Sequence, residues 1–187
     1  LPTKRDEYWR YSDPASLTVA DAPSAAIFDN DEAALFAGVD SVKVVFVDGV
    51  FDAAASDDLV AEGLEIARLV DVLSTDIHWA KDLYGVLEAR GQNPVERPLA
   101  ALNTAIATDG IVICATAKVA KPVNLIYLHQ DKTSDVAIHN LVKVEAGAEL
   151  TILETGPAAA RFSSVIEVDV ADAGAFHHVR AQGRDHE

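Results

Sequence analysis

Hydrophobic and polar positions alternate with a period of two around the middle of the second half of the chain. Val142 and Val144 share one face of an extended segment, and Lys143 and Glu145 take the other. After the corner Ala146-Gly147-Ala148, Leu150 and Ile152 point one way, and Glu149 and Thr151 the other. This alternation predicts two half-buried strands. Gly147 can reach positive φ, as an abrupt corner often requires. Leu141 and Leu153 interrupt the alternation, which predicts that the outer face is covered in places. This segment alone leaves an ordinary antiparallel hairpin open as its arrangement.

Short β-rich segments follow one another after Asp109-Gly110: Ile111–Ala115, Val123–His129, Ile138–Glu145, Glu149–Glu154, Ser164–Val170 and Ala175–Ala181. Lys121-Pro122, Ala146-Gly147, Gly156-Pro157 and Ala173-Gly174 punctuate them as turns. Many short strands at even spacing predict a sandwich, a barrel or a β-solenoid.

The pattern before residue 109 is different. Asp48-Gly49 lies between two β-rich runs, Val42–Val47 and Val50-Phe51, and predicts a hairpin because both turn residues tolerate positive φ. That role accounts for Asp48 without any chemistry. Leu59, Ile66, Val70 and Leu73 fall on a stripe at helical spacing, predicting a helix over 57–73 with Ser56 or Asp57 as its cap. A second helix is predicted over 76–89, with Ile77, Ala80, Tyr84 and Leu87 on its apolar face, His78 in its first turn and Gly91 ending it. Pro98 opens a third through Ala107. Residues 1–36 are irregular, and Trp9 and Tyr11 are expected to pack an arm onto the domain. The predicted division is therefore 1–108, mainly helical with a hairpin near 43–51, and 109–187, a β core.

Composition narrows the function. The chain has 187 residues, half of them hydrophobic, enough for a substantial core. A net charge of −15 disfavours polyanions and anionic lipid surfaces, so neither nucleic acid nor membrane is an expected partner. The single cysteine, Cys114, leaves no internal disulfide framework and suits a reducing compartment, most simply the cytoplasm. The chain starts at Leu1 instead of Met and is expected to have been trimmed or processed there.

Four segments, in order, resemble the SufB/SufD iron–sulfur cluster assembly family, the SufD branch more closely. Lys4-Arg5-Asp6-Glu7-Tyr8-Trp9-Arg10-Tyr11 is similar to the family's charged, Trp-containing opening. Val44-Val45-Phe46-Val47-Asp48-Gly49-Val50-Phe51 is similar to its hairpin, with Asp where Asn is commoner. Leu102–Gly110 resembles the helix leading into the β core, and His139–Glu154 a pair of strands of one coil. The resemblance implies a small, mainly helical N-terminal domain followed by the first rungs of a right-handed parallel β-helix. It implies a non-catalytic scaffold that works with SufB-like and SufC-like (ABC ATPase) subunits, on which the whole complex builds iron–sulfur clusters. It also implies that this chain is an N-terminal fragment, so no cluster-linked residue is carried over.

The residues offer little independent chemistry. His129, His139, His177, His178, His186 and Cys114 are the candidate metal ligands, and none shows CxxC or HExxH spacing. His177 and His178 are adjacent on a predicted strand and should project to opposite faces. Cys114 sits in the apolar run Ile111–Ala115 and is expected to act as a small buried hydrophobe. No GxSxG elbow, P-loop or GxGxxG appears. The expected site is therefore none, whether catalytic, cofactor-binding or metal. Stacked short strands also admit a carbohydrate-active β-helix lyase, although the negative charge opposes an acidic polymer. A third reading is a structural β-solenoid module that self-associates, as a homodimer or larger, through an open edge.

Overall fold

The computed structural model describes residues 19–27, 35–76, 78–93, 95–156 and 159–182. The arm readings at Trp9 and Tyr11, together with Ile77 and His186, lie outside them. The chain is mixed α/β and rich in sheet.

The first hairpin forms as the sequence predicts. β1 (Val42–Val47) pairs antiparallel with β2 (Val50–Phe51), and Val47 opposes Val50. Asp48 and Gly49 both adopt positive φ, 45° and 81°, as a twisted two-residue hairpin turn requires. The Asp48 carboxylate also accepts the backbone N–H groups of Gln130 and Asp131, each at 3.0 Å.

The helix predicted over 57–73 is largely replaced by strand and turn. β3 (Val60–Ala61) and β4 (Leu64–Arg68) form a hairpin about Gly63 at φ 75°, and only α1 (Leu69–Leu73) is helical. The stripe failed because its later members are outside: Val70 and Leu73 are exposed, whereas Leu69 and Val72 are buried. Leu64 and Ile66 pack on the core with strand spacing, and β4 finds a long-range partner that overrides local propensity. Asp57 caps no helix. Its Oδ2 accepts the N–H of Lys43, and Ser56 Oγ accepts that of Val45, so both serve the edge of β1.

The helix predicted over 76–89 is broken. A 3-10 helix at Trp79–Asp82 and α2 (Val86–Arg90) flank Gly85, which has φ 70°. His78 does cap, its Nδ1 accepting the N–H of Ala80. Gly91 ends α2 by donating to Leu87 O, but at φ −71° and not through a left-handed cap. α3 (Pro98–Ile106) matches its expected helix to within one residue.

All six segments predicted as β after residue 109 are strands: β5 (Ile111–Ala115), β6 (Val123–Leu128), β7 (Asp135–Val144), β8 (Glu149–Gly156), β9 (Arg161–Val170) and β10 (Ala175–Gln182). They enter two five-stranded sheets, ordered β10-β8-β6-β1-β2 and β3-β4-β5-β7-β9. Both are mixed. β5–β7, β7–β9, β6–β8, β8–β10 and β1–β6 pair in parallel, whereas β1–β2, β3–β4 and β4–β5 are antiparallel. From β5 onward, successive strands alternate between the sheets and each pairs with the strand two places ahead. The arms around Gly147 therefore do not form a hairpin: β7 and β8 belong to different sheets.

The corners stack as the strands do. Glu145 N donates to Ala115 O and Glu149 N to Ala117 O on the preceding corner. On the following corner, Asp172 O accepts Gly147 N, and Ala175 N donates back to Ala148 O.

The main core lies between the sheets. Val44, Phe46, Ile113, Leu125, Ile138 and Ile152 are among its fully buried side chains. A second cluster lies on the outside of the β5-β7 sheet, where Leu69, Val72 and Ala80 cover Val112 and Leu141. That cover explains why Leu141 departs from strict alternation. Strands from 42–68 sit in both sheets, so hydrogen bonding crosses the predicted boundary at 108/109. Among the described residues, no helix is long and apolar enough to cross a membrane.

Candidate functional site

Two buried polar sets stand out, one on each side of the β5-β7-β9 sheet. The outer set centres on β7 and β9, where His139 and Glu167 project away from the main core toward the helices. His139 Nε2 lies 2.6 Å from Glu167 Oε1, and the side chains are 0% and 2% exposed. Glu167 also accepts Gly85 N through Oε1 at 2.6 Å and Glu88 N through Oε2 at 2.7 Å. The carboxylate thus satisfies N–H groups at the start of α2 that the helix itself cannot.

Aromatic and amide contacts complete this layer. The Tyr84 ring lies 4.6 Å from the His139 ring, and its hydroxyl donates to Thr104 O at 2.6 Å. Asn103, fully buried on α3, donates to Ile138 O and to Ser163 Oγ. Burial opposes ionisation of Glu167, but the hydrogen bonds from His139, Glu88 and Gly85 outweigh it and hold the carboxyl below its usual range. Burial, then the Glu167 charge, pushes the Tyr84 hydroxyl up.

A histidine against a carboxylate has the form of a general-base pair. Here its outlet is closed. Among the described residues His139 Nδ1 is buried with no hydrogen-bond partner, and the neighbouring Tyr84 hydroxyl is committed to a carbonyl. No Ser, Thr or Cys hydrogen-bonds to the His139 ring among the described residues. The arrangement ties α2 to the sheet through the Glu167 carboxylate.

The inner set lies between the sheets. Glu154 is in phase with Leu150 and Ile152 and is 5% exposed at its side chain. Its Oε2 is 2.8 Å from His178 Nε2, and Arg180 Nε approaches Oε1 at 3.9 Å. Asn140, in phase with Val142 and Val144, accepts Ile111 N at 2.9 Å and donates to the Tyr127 hydroxyl at 3.2 Å. Burial, reinforced by the Glu154 charge, pushes the Tyr127 hydroxyl well above its ordinary range. At the start of β5, Asp109 is paired with Arg68 at 2.5 Å and also accepts Gly110 N.

The five candidate ligands within the described residues do not converge. His129 is bonded to Asp131 O in an exposed loop. His139 meets Glu167, His178 meets Glu154, and His177 is exposed near Glu149 at 3.6 Å. His177 and His178 take opposite faces of β10, as the strand period predicts. Cys114 is buried, and burial, with Glu145 and Glu65 nearby, pushes its thiol up. Among the described residues, no group of three or more His, Cys, Asp or Glu could hold a metal ion.

Sequence reasoning named His139 and His178 but missed their partners Glu167 and Glu154, and missed Asn103 and Asn140. A polar residue on the apolar phase of a strand was the available signal, clearest for Glu154 after Leu150 and Ile152. A scan of the chain against protein-family models returns no match, and a search of the curated proteins likewise returns none.

Proposed function

We propose that this chain is the N-terminal part of a SufD-like, non-catalytic scaffold for iron–sulfur cluster assembly. In this reading the two sheets are the opening rungs of a right-handed parallel β-helix. SufB-like and SufC-like subunits are the partners, the cluster is cargo of the whole complex, and the cytoplasm is the compartment. The observation that carries the reading is the strand order from β5 to β10, alternating between sheets with each strand parallel to the one two ahead. A coil produces this order, because each turn contributes one strand to each wall. Parallel crossovers are right-handed in about 98% of cases, which supports that hand. The four ordered resemblances lend the family, and the closed surroundings of His139 and Glu167 favour a structural role over catalysis.

Co-purification tests this reading. The full-length natural polypeptide, expressed with SufB-like and SufC-like subunits, is expected to retain both. The 187-residue stretch is expected to lose the ATPase subunit. A full-length polypeptide that joins neither subunit overturns the assignment.

A further inference from the structure

We propose that the 3-10 helix and α2, lying over the β5-β7-β9 sheet, form a detachable cover latched by the buried His139–Glu167 pair, and that neutralising Glu167 releases residues 79–91 while both sheets and α3, held by Asn103, persist. The proposal uses packing and charge alone and stands apart from the iron–sulfur reading.

The layer has little stability of its own. Its 3-10 helix has four residues and α2 has five, far short of the length at which an isolated helix holds in water. Its order must come from the sheet beneath. Glu167 ties α2 there, because the N–H groups of Gly85 and Glu88 both end on its carboxylate. The same carboxylate accepts from His139, whose ring supports Tyr84. One group therefore holds helix start, histidine and aromatic together, and these contacts weaken together when it loses its charge.

The charges around it set the direction. Tyr84 and Glu88 approach from the helical layer. Lys143 and Asp169, in register with each other, lie next along the same face of the sheet, and Arg68–Asp109 adjoins β7. Lys143 lies over the Trp79 ring and Arg68 is matched by Asp109, and as donors neither can accept the α2 N–H groups in place of Glu167. Protonated, Glu167 becomes a donor at one oxygen and can no longer serve His139, Gly85 and Glu88 at once. A buried group left without its partner is the kind of defect that opens locally.

Hydrogen exchange read by mass spectrometry tests this on the whole chain, over a falling pH series corrected for intrinsic exchange. In the wild type, peptides covering 79–91 should lose protection at acid pH before those covering β5–β8. In Glu167→Gln the same peptides should exchange about tenfold faster or more at neutral pH, with the sheets unchanged and the acid step gone. Unchanged protection in Glu167→Gln overturns the proposal, as does loss of protection in sheets and helices together. If Glu167→Gln does not fold, the wild-type series decides alone: local loss supports the latch, and simultaneous loss overturns it.

Discussion

Asn140 Oδ1 accepts the backbone N–H of Ile111 at 2.9 Å, so a side chain of β7 satisfies the first residue of β5 from inside the core. The pairing of the two strands begins one step later, at Val112 and Leu141. The side-chain amide thus replaces a ladder bond, while its Nδ2 reaches Tyr127 in the opposite sheet. Asn140→Leu strands Ile111 N and the Tyr127 hydroxyl in an apolar setting. We expect a loss of about 2–4 kcal/mol, with Asn140→Asp less damaging in its acceptor role but penalised by a buried charge. Urea denaturation of the variants measures both.

Gly110 should be the least tolerant of the eight glycines whose surroundings are described. A Cβ there would lie 1.9 Å from His139 O and 2.6 Å from its carbonyl carbon, backbone atoms that cannot yield without moving β7. Gly110→Ala is expected to cost more than about 3 kcal/mol or to prevent folding. Gly38→Ala, where nothing lies within 4 Å, is expected to be close to neutral. Thermal melts of the pair provide the comparison.

Asp48 separates turn chemistry from charge. Asn tolerates positive φ and keeps an acceptor, so Asp48→Asn should stay within about 1 kcal/mol of the wild type. Asp48→Ala keeps the awkward φ and abandons Gln130 N and Asp131 N, so it should cost about 1–2 kcal/mol. Melting temperatures in the order wild type, Asn, Ala would bear this out; an Ala variant as stable as wild type would refute it.

Acid should weaken the fold through Glu167. Its folded carboxyl is held below the ordinary 4.5, so the stabilisation it gives is complete above that value. The contribution drains away as pH falls from there through the folded value. Urea midpoints from pH 7 downward should therefore drop on the acid side, and Glu167→Gln should show a lower neutral midpoint with a shallower acid slope.

Cys114 should be inert in the native state. It is buried on β5, and its thiol is pushed away from the reactive thiolate form. Modification by a thiol reagent should be slow and should accelerate with urea in step with unfolding. Rapid stoichiometric labelling in buffer would contradict its burial.

The strands after residue 109 were legible because their interior faces repeat every second residue, as in Leu150 and Ile152. The hairpin at Asp48-Gly49 was legible because its turn chemistry is local. The stretch 57–73 was not, because a sparse stripe from Leu59 to Leu73 fits a helix as well as it fits β4 and α1 in succession. What chose between them was β5, more than forty residues downstream, and no local window contains it. The polar sets were half legible. Histidines draw the eye as ligands, whereas Glu167 and Glu154 pass for surface charge until the opposing wall is in place.

The alternation of strands between two walls also bears on how the molecule is made. β1 rests in parallel on β6, so it must wait for a partner about eighty residues further along before its ladder can close, a long loop by any entropic measure. Its other edge closes early and locally, through β2 and through Ser56 and Asp57, which hold the amides of Val45 and Lys43, while the edge facing β6 stays open. Those two small side chains leave the ribbon with one sticky edge instead of two during synthesis. Their removal should show first as insoluble nascent product, before any deficit in the finished protein.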